Sequence, residues 1–219
     1  MSNVVFFDGV DDSVSMVNSA SLNISGDITL EAIIKPDCGI TLDYRTIIRK
    51  GPFPWNGSGA YALTIAPSLR TFFSVRKPTD DTYDVVGNID GSKIPRNTLT
   101  TVTGTLTSDT LRLYINGNLI DTKVMAWAGI LTNNGAGSIG SEYYSKLIYN
   151  ARIYNRALSD SEVLYNWMHP NNPKRRGLVL NLTQDSIYGP TWLDLSGNAN
   201  NGTYVGGAVP VTANRLAGR

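Results

Sequence analysis

Residues 110–122, Thr-Leu-Arg-Leu-Tyr-Ile-Asn-Gly-Asn-Leu-Ile-Asp-Thr, leave little choice of local structure. Leu111, Leu113 and Ile115 alternate with Arg112 and Tyr114, so one face of a strand is apolar and the other wet. Asn116-Gly117 follows, the pair best suited to a two-residue type I′ turn, in which both central residues need φ > 0. Leu119 and Ile120 then open a returning strand. A chain with this hairpin must make antiparallel sheet.

The same alternation recurs along the chain. Val4–Phe7 and Ser13–Val17 read as short strands around an acidic turn, Asp8–Asp12. In Asp27–Lys35, Ile28, Leu30, Ala32 and Ile34 share one face, with Thr29, Glu31 and Ile33 on the other, and Pro36 stops the strand. Arg45–Arg49, Tyr61–Ala66, Arg70–Arg76, Tyr83–Asn88, Thr98–Leu106, Ser138–Gly140 and Leu147–Asn155 are further strands, while Gly51–Gly59 is loop by its Gly, Pro and Asn-Gly punctuation. One helix is expected, over 159–168. Ser159 as N-cap with Glu162 three residues on forms a capping box, Val163, Leu164 and Trp167 give an apolar stripe, and Pro170 ends it. The tail, 177–219, returns to strand, with Leu178, Leu180 and Leu182 alternating with Val179 and Asn181.

At 219 residues the chain fits one all-β domain, since sandwiches run to about 200–250 residues. A net charge of +1 gives no electrostatic case for nucleic acid or an anionic membrane. A single cysteine, Cys38, rules out an internal disulfide and reads as a small packed residue. Residues 1–20 carry Asp8, Asp11 and Asp12 and lack an apolar core, so no signal peptide is expected. No apolar run approaches the ~20 residues of a membrane span, so no membrane insertion is expected either.

Three stretches resemble one family, in the family's own order. Leu113-Tyr-Ile-Asn-Gly117 is similar to the "L-Y-V-N-G" hairpin of LamG-like, concanavalin A-type jelly rolls. Phe7-Asp-Gly-Val-Asp-Asp-Ser-Val14 resembles their "F-D-G-x-D-D-Y-V" opening, and Ala151-Arg-Ile-Tyr-Asn-Arg-Ala-Leu-Ser-Asp-Ser-Glu162 their "v-R-I-Y-N-R-A-L-S-x-x-E" strand-to-helix segment. Where the family usually has Trp-His, this chain has Leu99-Thr100. A fourth stretch, Trp192–Thr203, resembles "D-x-S-G-N-G-N-x-G-T", which in most relatives precedes the acidic turn. Here it comes last, so the order looks circularly permuted. The resemblance implies an all-β jelly-roll sandwich of two antiparallel sheets with one short helix at the rim. The tail either closes its own sandwich, which needs only neighbouring termini, or pairs with the open edge of another copy.

Catalytic chemistry finds little support. The superfamily's hydrolases place paired carboxylates about 5 to 9.5 Å apart, on one strand as Glu-x-Asp-x-x-Glu. The only glutamates here, Glu31, Glu142 and Glu162, are far apart in sequence, and Glu162 is accounted for as a cap. The sole histidine, His169, sits at the helix end, and there is neither a zinc-type Cys/His cluster nor a phosphate loop. The chain is therefore read as non-enzymatic.

Calcium is the one metal to carry forward. Asp8, Asp11 and Asp12 place hard oxygens within one turn, as calcium prefers; the alternative is side chains that bond their own backbone. Asp194, Ser196 and Asn198 share the spacing of a calcium loop without its distal Glu, and turn chemistry accounts better for them.

The resemblance implies glycan binding, in which sugars stack on exposed rings while amides and hydroxyls take their OH groups. Trp55 beside Asn56 is the first candidate, then Trp127, then Tyr143-Tyr144; Trp167 and Trp192 read as core. Two settings follow. One is a virion structural protein, a capsid decoration, fibre or spike module partnered by other virion proteins or by copies of itself and able to touch cell-surface glycans. The other is an extracellular adhesion module outside any virus.

Overall fold

The computed structural model describes residues 3–36, 43–52, 59–80, 82–140 and 144–212. Among the described residues sixteen strands and one α-helix follow in chain order. The strands are β1 (Asn3–Asp8), β2 (Ser13–Met16), β3 (Ile28–Pro36), β4 (Arg45–Lys50), β5 (Tyr61–Ile65), β6 (Thr71–Arg76), β7 (Tyr83–Gly87), β8 (Thr100–Thr107), β9 (Thr110–Ile115) and β10 (Asn118–Val124). After them come β11 (Gly137–Ile139), β12 (Ser145–Tyr154), the helix α1 (Asp160–Met168), β13 (Leu178–Tyr188), β14 (Thr191–Asp194), β15 (Gly202–Val205) and β16 (Val209–Thr212). The Asn116-Gly117 turn has φ of 50° and 78°, as a type I′ turn requires. Among the described residues no helix is long and apolar enough to cross a membrane.

All pairings are antiparallel and form one path, β10-β9-β8-β3-β12-β13-β14-β15-β2-β11-β4-β5-β6-β7, which folds over between β13 and β14. The register there shifts between Leu182 and Ile187, a bulge that bends the strand out of one layer and into the other. Two sheets result, β10-β9-β8-β3-β12-β13 and β14-β15-β2-β11-β4-β5-β6-β7, packed as a jelly-roll sandwich around a single main core. β1 lies beside the first sheet, between β12 and β16. The layers meet closely at Gly104, where a Cβ would fall 2.5 Å from the Phe73 ring, so only glycine fits.

The tail is part of this sandwich. β13 pairs with β12, β15 with β2 and β16 with β1, all within the same chain. Asp12, buried at the base of the acidic turn, accepts the backbone N–H of Asp8 at 2.6 Å and that of Gly207, which ties the chain's beginning to its end.

The helix covers the outer face of the first sheet and changes what that face can be. The register aligns Asn181, Arg152, Glu31, Thr103 and Tyr114 in one row across five strands. Arg152 donates to Glu31 at 2.7 Å and to Asn181 at 3.2 Å, and also to the Pro170 carbonyl. Asn166, on the helix, donates to both Glu31 oxygens at 3.3 Å, and Tyr114 donates to Asp160 at 2.7 Å. Thr29, Glu31 and Ile33 are all buried, Glu31 against Asn166 of α1 and Thr29 against the segment leading into it, through the Arg156 carbonyl and the Leu158 N–H. The same placement corrects the expected helix stripe. Val163 and Asn166 face inward, while Leu164 and Trp167 rest against the Gly117 turn at the margin, and Trp167 is 41% exposed.

Glu162 closes the helix start as expected, accepting the Ser159 N–H at 3.0 Å while its backbone N–H donates to the Ser159 hydroxyl. A two-pronged pair with Arg156, both contacts 2.7 Å, together with that cap, holds its carboxyl down at about 2.

Candidate functional site

The second sheet leaves part of its outer face open. Inward residues alternate with outward ones, so Val14 and Met16 enter the core while Ser13 and Ser15 point away from it. Register then builds a row across seven strands: Thr203, Ser15, Ser138, Arg49, Ala62, Ser74 and Val85. Ala62 and Ser74 are fully covered; toward the other end Thr203 is exposed, Ser15 and Arg49 are half-buried, and Ser138 is buried with its hydroxyl donated to the Gly140 carbonyl at 2.8 Å. A cleft of about 330 Å³ lies there, with Ser13, Ser15, Ser138 and Arg49 on its sheet side and Gly51, Pro52 and Gly135 on its rim. Small side chains make its floor shallow and put hydroxyls at the surface. Among the described residues no carboxylate lines it.

The rim is held from inside by Lys50, only 1% exposed. Its ammonium donates to Asn18 Oδ1 at 2.6 Å, to the Asn133 carbonyl at 3.2 Å and to the Gly135 carbonyl. Burial without a carboxylate partner pushes the Lys50 pKa down.

A second depression of about 360 Å³ adjoins the first. Val17, Asn18 and Ser19 form one wall, and the tail segment Asn198, Ala199, Asn200, Asn201 and Thr203 forms the other. Asn200 is buried and locked, taking the Ser19 hydroxyl at 2.5 Å and giving its amide hydrogens to Ser21 at 2.9 Å and the Val179 carbonyl at 2.8 Å.

The sequence-nominated residues scatter. Trp55, Asn56 and Tyr143 lie outside the described residues, as do Cys38 and Glu142. Tyr144 is 1% exposed, its ring edge-on to Phe7 at 5.4 Å, so it is core and offers no face to a sugar. Trp127 is half-buried and packs against the main core. Trp192 is fully buried, as its leucine-rich setting implies. The serines of the cleft were not singled out in sequence; only strand register makes them neighbours.

Asp8, Asp11 and Asp12 do come together, each offering an oxygen within 4.8 Å of the others. Asp12 is committed to the two amides described above, and Asp8 accepts the Val10 N–H at 2.8 Å. A calcium ion here would draw on the exposed Asp8 and Asp11. Equilibrium dialysis is the check, with one retained ion expected under that reading and none if the turn is purely structural. Asp194 is filled differently, accepting N–H groups from Asn181, Ser196 and Asn200 and the Ser196 hydroxyl, which is turn chemistry.

The sequence's one histidine and the two described glutamates, Glu31 and Glu162, have structural partners. His169 stacks on Tyr165 with centroids 4.3 Å apart and pairs with its carbonyl at 3.0 Å, while Glu31 is enclosed by Arg152 and Asn166.

The molecule is thus a jelly-roll sandwich with shallow, hydroxyl- and amide-lined depressions on one sheet. The chain belongs to the concanavalin A-like lectin/glucanases superfamily, whose model matches residues 8–164. No curated protein matches it. Among solved structures it is similar to a protein from Bacteroides ovatus provisionally described as carbohydrate binding (TM-score 0.71, 16% identity), covering 97% of this chain and 60% of that one. It is also similar to the heptameric SAP-like pentraxin of Limulus polyphemus (TM-score 0.62, 12% identity, 95% and 94% covered). A third is domain 4 of AbnA, an extracellular arabinanase from Geobacillus stearothermophilus, in complex with arabinotriose (TM-score 0.56, 18% identity, 74% and 75% covered). The chain spans less than two thirds of the Bacteroides protein's length.

Proposed function

We propose that this chain is a non-catalytic carbohydrate-binding module whose site is the cleft over Ser13, Ser15, Ser138 and Arg49. The observation that carries this reading is the cleft itself, whose half-buried Ser13, Ser15 and Arg49 surround a floor closed by the buried Ser138. Shallow floors of small side chains admit a sugar ring, and Ser and Arg supply donors and acceptors for its hydroxyls. The carbohydrate-binding descriptions of two similar structures support the class of ligand. That no carboxylate lines the cleft among the described residues favours binding over hydrolysis, because glycoside cleavage needs an acid and a base or nucleophile at the scissile bond.

The test is binding of the intact chain to an array of glycans, beside Ser15→Trp. The new indole projects outward into the cleft and leaves the core face of β2 unchanged. Expected is retained thermal stability with a loss of about tenfold or more in affinity for every glycan the parent binds. Unchanged binding by the variant would move the site elsewhere, and no binding by the parent would remove the function. The virion setting expected from the sequence adds a location, not a chemistry, and the cleft does not bear on it.

A further inference from the structure

We infer that the serine cleft and the asparagine groove are one continuous site, built for an extended oligosaccharide whose groove-bound units are neutral, and not for a single terminal sugar. This rests on the carbohydrate-binding reading above and adds its ligand class. Thr203, which lines the groove, is the direct cross-strand partner of Ser15, which lines the cleft. Directly opposed residues share a face, so the two depressions lie side by side on the same sheet surface. From Thr203 through Ser15 and Ser138 to Arg49 the surface crosses three strand spacings, about 14 Å, enough for a short chain of sugars.

The groove's chemistry is uncharged throughout: asparagines, a serine, a threonine, Ala199 and Val17, which is 83% exposed. No ionisable side chain lines it among the described residues, so it has nothing to pair with a carboxylate- or sulfate-bearing sugar. Its amides are aimed in advance. The Asn18 carbonyl oxygen takes the Lys50 ammonium at 2.6 Å, and the Asn201 carbonyl oxygen takes the Asp194 N–H at 2.9 Å. Each side-chain NH2 is therefore turned away from those contacts, as a donor fixed in direction, and the Thr203 hydroxyl lies beside them. Donors held by supporting bonds lose little freedom when a ligand arrives. Val17, on the same face as Ser13 and Ser15, offers an apolar patch for the C–H side of a ring. One wall comes from the start of the chain and the other from its tail, so the groove exists only with the tail docked on β2.

The experiment measures dissociation constants for maltotriose, cellotriose, chitotriose and arabinotriose, each against its own monosaccharide. The parent chain is compared with Asn201→Asp/Thr203→Val. Aspartate keeps an acceptor for the Asp194 N–H while removing the NH2 donor, and valine keeps the shape of threonine without its hydroxyl. Thr203→Val alone serves as the second variant should the pair fold poorly. Expected is a trisaccharide preference of about tenfold in the parent, abolished in the variants with monosaccharide affinity unchanged. Equal affinity for both lengths, or a preference that survives the variants, would overturn the extended site while leaving carbohydrate binding intact. No binding of any probe would overturn both.

Discussion

Glu31→Ala is expected to cost about 3–5 kcal/mol of folding stability, read as a shift in the urea midpoint at unchanged slope. Glu31 and Arg152 are each 1% exposed and 2.7 Å apart beneath α1. Deleting the carboxylate leaves a guanidinium in a dry layer with the neutral acceptors Asn181 and Pro170, and removes the two contacts from Asn166 of the helix to Glu31, leaving Asn166 its bonds with Tyr154 and Lys174. The loss exceeds that of a surface pair because solvent cannot replace the missing partner. Glu31→Leu combined with Arg152→Met is expected to recover much of it, since apolar residues of similar volume avoid the desolvation that the ion pair incurs. A single-variant cost below about 1 kcal/mol would show that water reaches the pair and that the helix is loosely seated.

Trp192→Ala is expected to cost a similar amount, about 3–5 kcal/mol, by emptying the largest side chain of the tail from the main core. The indole also donates to the Thr183 carbonyl at 2.7 Å, across the bulged part of β13, and its loss leaves that acceptor without the bond. The tail's partner strands β12, β2 and β1 all lie within the chain, so the unfolding midpoint of parent and variant should not depend on protein concentration. A tail exchanged between copies would make it concentration-dependent. A cost near zero would mean that residues after 177 are an appendage to the sandwich and not part of it.

Much of this sandwich is legible in the residues, where local chemistry and global fold agree. Asn116-Gly117 specifies its turn through two positive φ angles, and Ser159 with Glu162 specifies the helix start through reciprocal bonds. The errors arise where a distant element changes a residue's surroundings. Thr29 and Glu31 are polar residues on the face away from Ile28 and Leu30, yet α1 and the segment leading into it, more than a hundred residues later, bury them. Trp167 looks like core by helical spacing, but the helix is rotated so that Asn166 meets Glu31, which leaves the indole at the margin beside Gly117. Tyr144 looks like a surface aromatic until Phe7, from the first strand, packs against it. The cleft was the least legible part. Ser15, Ser138 and Thr203 are unremarked residues on three strands, and only the register of β15, β2 and β11 sets them side by side.

The central claim, that this outer face binds carbohydrate, is tested most directly by amide NMR. The isotope-labelled chain is titrated with the neutral trisaccharides above. The account predicts saturable shifts at Ser13, Ser15, Ser138, Asn201 and Thr203, with the helix-covered face around Asn166 and Arg152 silent. No saturable shift with any saccharide, or shifts confined to the α1 face, would contradict it.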